Sequence, residues 1–204
     1  MSQAPEKPLQ AQSPISSNAL TEAGEFSPEE RRILLTLAHD SIQSSLEKRE
    51  ISLLAPTPHL AEPRGAFTTL YRRRQLRGCV GYVLPVASLY RTVAETARAA
   101  AFEDTRFLAL SSEEAPELEI HLSILSLPRP ITPPEIEIGR HGLVISLGLR
   151  RGLLLPQVPA EYGWDRITFL EQTCRKAGLP LDAWKSGATL EGFTAEVFRD
   201  PELI

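Results

Sequence analysis

GAFTTLYRRRQLRGCVGYVLP, residues 65–85, is the stretch on which the fold reading turns. Ala66, Thr68 and Leu70 alternate with Phe67, Thr69 and Tyr71, the period-two pattern of a strand. The polar run Arg72, Arg73, Arg74 follows, then a second short strand from about Leu76 to Tyr82, so the stretch predicts a hairpin. Gly78 and Gly81 bracket Cys79 and Val80. Glycines so placed in a strand point to a bulge, or to close approach of another backbone.

Upstream, a Pro-rich connection (LAPTPHLAEPRG) separates the hairpin from SPEERRILLTLAHDSIQSSLEKRE, residues 27–50. Ser27 suits the N-cap, Pro28 the first helical position, and Glu30 completes a capping box. Leu34, Leu37, Ala38, Ile42 and Leu46 then share one stripe at helical spacing. Residues 1–25 are rich in Ser, Gln, Pro and Ala and have few large apolar side chains, the composition of a disordered tail; the domain is expected over 26–204.

Downstream, Ser88 caps a helix whose stripe is Leu89, Val93, Ala97 and Ala100. ELEIHLSIL, residues 117–125, reads as a half-buried strand, ended by Pro128, Pro130, Pro133 and Pro134. HGLVISLGLRRGLLLPQ, residues 141–157, predicts a second hairpin turning at Arg150, Arg151 and Gly152. Asp165 caps a further helix with Ile167, Leu170, Cys174 and Ala177 inward, stopped by Gly178 and Pro180. A turn through Trp184 leads to a last strand, FTAEVF. Hairpins mixed with helices, without regular β–α–β alternation, predict an α+β fold with mainly antiparallel sheets. The order hairpin–helix–strand occurs twice and hints at two similar halves.

The net charge is −4, with 22 Lys and Arg against 26 Asp and Glu, so the chain is not expected to clamp nucleic acid. Its basic cluster, Arg72–Arg74 with Arg77, reads as a solvated hairpin tip. No signal-like segment and no run of roughly 18 apolar residues is present, which predicts a cytoplasmic protein off the membrane. The cysteines, Cys79 and Cys174, form no disulfide framework, and no metal-ligand spacing occurs, so neither cofactor nor metal is expected. His39, His59 and His141 are scattered over a helix, a loop and a turn.

Cys79 is the candidate nucleophile, with Arg77 two residues away to favour its thiolate; otherwise it is a small strand residue that fits where nothing larger would. Arg77 either holds an anionic substrate in its planar fork or pairs with Asp104 or Glu119. Arg106 either binds substrate or pairs with Asp104 at the end of its helix. Glu119, His121 and Ser123 share one strand face, as part of a proton-transfer site or as its solvent side. Gln157, after LLLP, either hydrogen-bonds in a cleft or satisfies the strand end. Cys174 falls on an apolar stripe and reads as core.

LRGCVGY at 76–82, AAAFEDTRF at 99–107, ELEIHLSIL at 117–125, IGRHGLVI at 138–145, GLLLPQV at 152–158 and FLEQTCRKAGL at 169–179 resemble, in order, the motifs of the AMMECR domain family, over about residues 27–200. Where that family is expected to carry a second acidic residue on the 117–125 strand, this chain has His121. The resemblance implies a larger and a smaller α+β lobe with a cleft between them, lined by motif residues. It also implies an accessory or binding component (AmmeMemoRadiSam system protein A) that works with a Memo-like protein and a radical S-adenosylmethionine enzyme. The family carries no settled activity. The alternative is an enzyme in which Cys79 attacks a small anionic substrate, with Arg77, Arg106 and Gln157 binding it and Glu119 or His121 handling protons.

Overall fold

The structure, a computed structural model, describes residues 24–200. The expected tail lies outside the described residues except at its end, where the Glu25 amide donates to Glu196 Oε2 at 2.7 Å. Helix α1 (Pro28–Glu47) starts at the Ser27 capping box, as its sequence requires, and stops where Lys48 adopts a left-handed conformation. Strands β1 (Ala66–Arg72) and β2 (Gln75–Tyr82) form the hairpin, followed by α2 (Leu89–Phe102) and β3 (Leu118–Leu125). Then come β4 (Arg129–Pro130), β5 (Gly142–Leu147), β6 (Arg150–Leu154), α3 (Gln157–Glu161), α4 (Arg166–Lys176), β7 (Thr189–Phe193) and β8 (Ala195–Arg199).

Two antiparallel four-stranded sheets result, ordered β2-β1-β3-β8 and β4-β7-β5-β6. In each, a hairpin is followed by a helix, and the next long strand returns beside the hairpin's first strand. The twice-repeated order in the sequence is therefore a repeated topology. Aligning the hairpins from their tips places Gly78, opposite Leu70, at the same position as Gly152, opposite Ile145. The two glycines do the same work. A Cβ at 78 would overlap the Ala100 carbonyl oxygen on α2, and a Cβ at 152 the Ala177 backbone nitrogen at the end of α4. Each unit thus seats the end of its helix on a side-chain-free point of its own sheet.

The first sheet buries Ala66, Leu70, Ile120, Leu122, Ile124 and Phe198 against Leu34, Ala38 and Ile42 of α1 and Val93, Ala97 and Ala100 of α2. Within that layer Thr68 and Thr96 satisfy each other's hydroxyls at 2.8 Å. The second sheet buries Leu143 and Ile145 against Phe169, Leu170 and Cys174 of α4. The faces turned away from the helices meet in an apolar junction of Leu125, Val144 and Phe193, flanked by Phe67, Val83, Leu153 and Leu155.

Three local expectations are corrected. The second hairpin turns at Gly148 and Leu149, with Gly148 at φ +59°, because glycine takes the left-handed position that β-branched or bulky residues avoid; Arg150, Arg151 and Gly152 lie in β6. FTAEVF is not one strand: Phe193 ends β7 in the second sheet and Ala195 begins β8 in the first, so Thr194 crosses between them. Ile167 is 45 % exposed, and Phe169 takes the inward place, because α4 rotates its buried stripe to Phe169, Leu170, Thr173 and Cys174.

Candidate functional site

The first sheet's helix-free face bears Thr69 and Tyr71 from β1, Cys79 from β2, Glu119 and His121 from β3 and Arg199 from β8. Register places Cys79 opposite Thr69, Thr69 opposite His121, and His121 opposite Arg199, one row across four strands. Cys79 Sγ lies 3.2 Å from Thr69 Oγ1. His121 Nε2 lies 2.6 Å from Glu119 Oε1, and the His121 ring meets the Tyr71 ring at 4.7 Å. Burial, and then the neighbouring Cys79 and Glu119, hold the Tyr71 phenol above its usual pKa. The row begins two residues beyond Phe67, about 7 Å along the strand from the inter-lobe junction. Cys79, Thr69, Tyr71, Glu119, His121 and Ser123 are all half-buried.

Arg77 owes its position to a bulge. Leu70 faces Gly78 and Tyr71 faces Leu76, which leaves Arg77 as an extra residue on β2 and re-aims its side chain. Both expected features of the glycine pair, bulge and close backbone approach, are thus present. The expected partners of Arg77 are corrected: its Nε and Nη2 donate to Glu114 Oε1 and Oε2, each at 3.0 Å, rather than to Asp104 or Glu119. The fork leaves the Arg77 side chain 14 % exposed, with Nη1 buried and without a partner among the described residues. The Arg77 guanidinium beside it, helped by the Ser111 amide, holds the Glu114 carboxyl down at about 2.

Asp104 and Arg106 clamp the free edge of β2. The Cys79 amide donates to Asp104 Oδ2 at 2.8 Å, and Arg106 Nη2 reaches the Cys79 carbonyl at 3.4 Å. Arg106 closes on Asp104 through Nε at 2.9 Å and Nη2 at 2.7 Å. The two side chains stand in for a neighbouring strand at Cys79, whose amide and carbonyl they satisfy. The Arg106 guanidinium, with the Cys79 amide, brings the Asp104 carboxyl, 6 % exposed, to about 2. Phe107 packs under both guanidinium groups, 6.0 Å from Arg77 and 5.5 Å from Arg106.

Cys79, Arg77, Arg106, Glu119 and His121 therefore share one lobe and border one face. Gln157 begins α3 in the other lobe, and no hydrogen bond joins it to this row among the described residues. The remaining histidines are engaged away from this row: His39 pairs with Asp200 at 2.8 Å, His59 stacks on Phe26 and pairs with Glu30, and His141 Nδ1 accepts from the Glu137 amide. Among the described residues no cluster of His, Cys, Asp and Glu fits a metal ion. Hollows of about 400 and 360 Å³ lie over α1, the larger lined by His39, Ile42 and Leu118, and not on the thiol's face. Sequence reasoning missed Glu114 and Thr69. A glutamate in a loop carries no periodic signal, and Thr69 joins the row only through sheet register.

Fold and site define the class first: a two-sheet α+β protein with a repeated hairpin–helix–strand unit and a polar, cysteine-bearing face in the first unit. A family model described as AMMECR1 matches residues 35–198, and the chain belongs to that family. A protein of Aquifex aeolicus is 40% identical over 84% of this chain and 93% of its own length. A protein of Methanopyrus kandleri is 43% identical over 85% and 90% respectively. An uncharacterised protein of Pyrococcus horikoshii with a crystal structure, 38% identical, superposes with a TM-score of 0.64 over 82% of this chain and 89% of that one. No helix among the described residues is long and apolar enough to cross a membrane.

Proposed function

We propose that this protein is an accessory, binding component of a cytoplasmic system, acting with a Memo-like protein and a radical S-adenosylmethionine enzyme, and that it is engaged through the face around Thr69, Cys79 and His121. The observation that carries this reading is that the charged groups bordering the thiol are committed to one another. Arg77 is forked onto Glu114 and Arg106 onto Asp104, so neither fork is open to a small anion. A general base must approach within about 3 Å of the proton it removes. Cys79 and His121 stand on strands separated by β1, about 10 Å apart at strand spacing. What remains is a sheet face with an aromatic–imidazole pair and a thiol, uncovered by helices, which suits contact with a protein surface.

Size-exclusion chromatography of the full chain with each purified component tests this. Co-elution with at least one component, weakened by Thr69→Arg, is the expected result. A chain that elutes alone beside both components overturns the reading. A second reading, an enzyme with Cys79 as nucleophile, draws on the half-buried thiol and its 3.2 Å contact with Thr69 Oγ1. Alkylation of Cys79 followed against pH separates the two: slow reaction with an apparent pKa near the free value of about 8.5 removes the chemical basis for nucleophilic catalysis.

A further inference from the structure

The first hairpin's tip is built against its own turn preference. Two residues, Arg73 and Arg74, join β1 to β2, and both adopt left-handed backbone, φ +50° and +63°. Connections of this kind favour Asn-Gly or Asp-Gly, because a Cβ at positive φ crowds the following carbonyl. The matching tip of the second lobe follows the rule with Gly148. Nothing in the packing of the first sheet requires arginine at 73 and 74, which are both exposed. Backbone strain kept without a packing reason points to a role outside the fold.

The tip holds out three arginines, two of them balanced by carboxylates. Arg72 donates to Glu114 and Glu117, and Arg73 reaches both oxygens of Glu117 at 2.9 and 3.2 Å. Arg73 stays 75 % exposed, so this pair is weak and exchangeable. Arg74 has no partner among the described residues. Several guanidinium groups thus concentrate at one point of a chain whose net charge is −4.

We propose that Arg72–Arg74 is a docking point for an acidic segment of a partner protein. Carboxylate is favoured over phosphate because the Arg73 fork already holds one: Glu117 lies across it, and at 75 % exposure that pair, unlike the sealed Arg77–Glu114 fork, exchanges for an incoming Asp or Glu. The acidic remainder of the chain opposes an extended nucleic-acid backbone, and Tyr71, which could stack a base, is packed on His121. This rests on the reading of the protein as a binding component and names a second contact for it.

Fluorescence anisotropy of the full chain with a labelled deca-glutamate peptide, at low and at physiological salt, tests the docking point. The expected result is binding that weakens with salt and falls at least about tenfold in R73N/R74G, while the melting temperature of that variant rises by roughly 2–4 °C as the turn relaxes. R73D/R74D, which also tolerates the left-handed turn, abolishes binding and serves if the first variant does not fold. Unchanged peptide affinity in either folded variant overturns the proposal. So does tighter binding of an oligouridine or of phosphatidylserine vesicles than of the peptide at equal salt. Failure of the chain to co-elute with both system components, with peptide binding intact, sinks the functional reading and leaves the docking point standing. Co-elution that is indifferent to R73D/R74D sinks the docking point alone.

Discussion

The two hairpins share a frame and differ in almost everything attached to it. Each has a two-residue tip, a glycine under the end of a helix further along the chain, and a return strand beside its first strand. On the helix-free face, however, the first presents Thr69 and Cys79 where the second presents Val144 and Leu153. The second pair joins the apolar junction between the sheets. The first keeps its face half-buried, adds a bulge at Arg77 and clamps the strand edge with Asp104 and Arg106. What the lobes share is what helix-on-sheet packing demands; what they do not share lies where packing makes no demand. Departures confined to one copy are therefore the place to look for function.

The comparison is most easily broken at the shared glycines. Gly78→Ala and Gly152→Ala each drive a methyl into helix backbone, which cannot move aside like a side chain, and each is expected to cost about 3 kcal/mol in denaturant unfolding. Gly148→Ala meets no neighbouring atom and suffers only from its positive φ, so its expected loss is nearer 1 kcal/mol. If Gly152→Ala were tolerated while Gly78→Ala was not, the two glycines would not be doing the same work.

The edge clamp sharpens the contrast, since it exists in the first lobe alone among the described residues. Asp104 and Glu114 have folded-state pKa values of about 2, against ordinary values of 3.8 and 4.5. Both are lowered, so the folded state binds fewer protons than the unfolded chain between those limits. Their contribution is complete above about pH 5 and is lost as pH falls toward 2. At about 1.4 kcal/mol per unit, Asp104 contributes on the order of 2 kcal/mol at neutral pH. Asp104→Asn is expected to remove that amount at pH 7 and to flatten the acid limb of a stability–pH curve. An unchanged acid limb would mean that the clamp does not hold the strand edge.

Much of this was legible before any coordinates. The Ser27–Glu30 capping box, the alternation of Ala66–Tyr71 and the stripe of α2 each encode a local geometry, and each is realised. Gly78 announced a bulge or a close backbone, and it sits beside one and under the other. The failures are of pairing rather than of local propensity. Gly148 rather than Arg150 makes the second turn because an apolar run bounded by glycines fits several registers equally well, and Thr194 divides FTAEVF because the sheet a residue joins is set by long-range pairing. Of the site, Cys79, Arg77, Arg106, Glu119 and His121 were named from residue type and motif. The partners of Arg77 and Cys79, Glu114 and Thr69, come from a loop that closes back across 37 residues of chain and from cross-strand pairing, neither of which leaves a periodic trace.

The two cysteines carry the comparison to its smallest expected effect. Cys174 is fully buried on α4, and burial pushes its thiol above the usual value. A hydroxyl there would lack solvation, so Cys174→Ser is expected to cost about 1–2 kcal/mol. Cys79 faces Thr69 Oγ1 and the half-open sheet face, where a serine hydroxyl finds the same partner. Cys79→Ser is therefore expected to change stability by less than about 0.5 kcal/mol. Native-state iodoacetamide treatment is expected to give one adduct, at Cys79, with Cys174 protected roughly 100-fold until the second lobe opens. A Cys79→Ser variant destabilised as strongly as Cys174→Ser would show the first thiol to be a packing plug like the second. The polar row would then be an accident of register rather than a surface kept for contact.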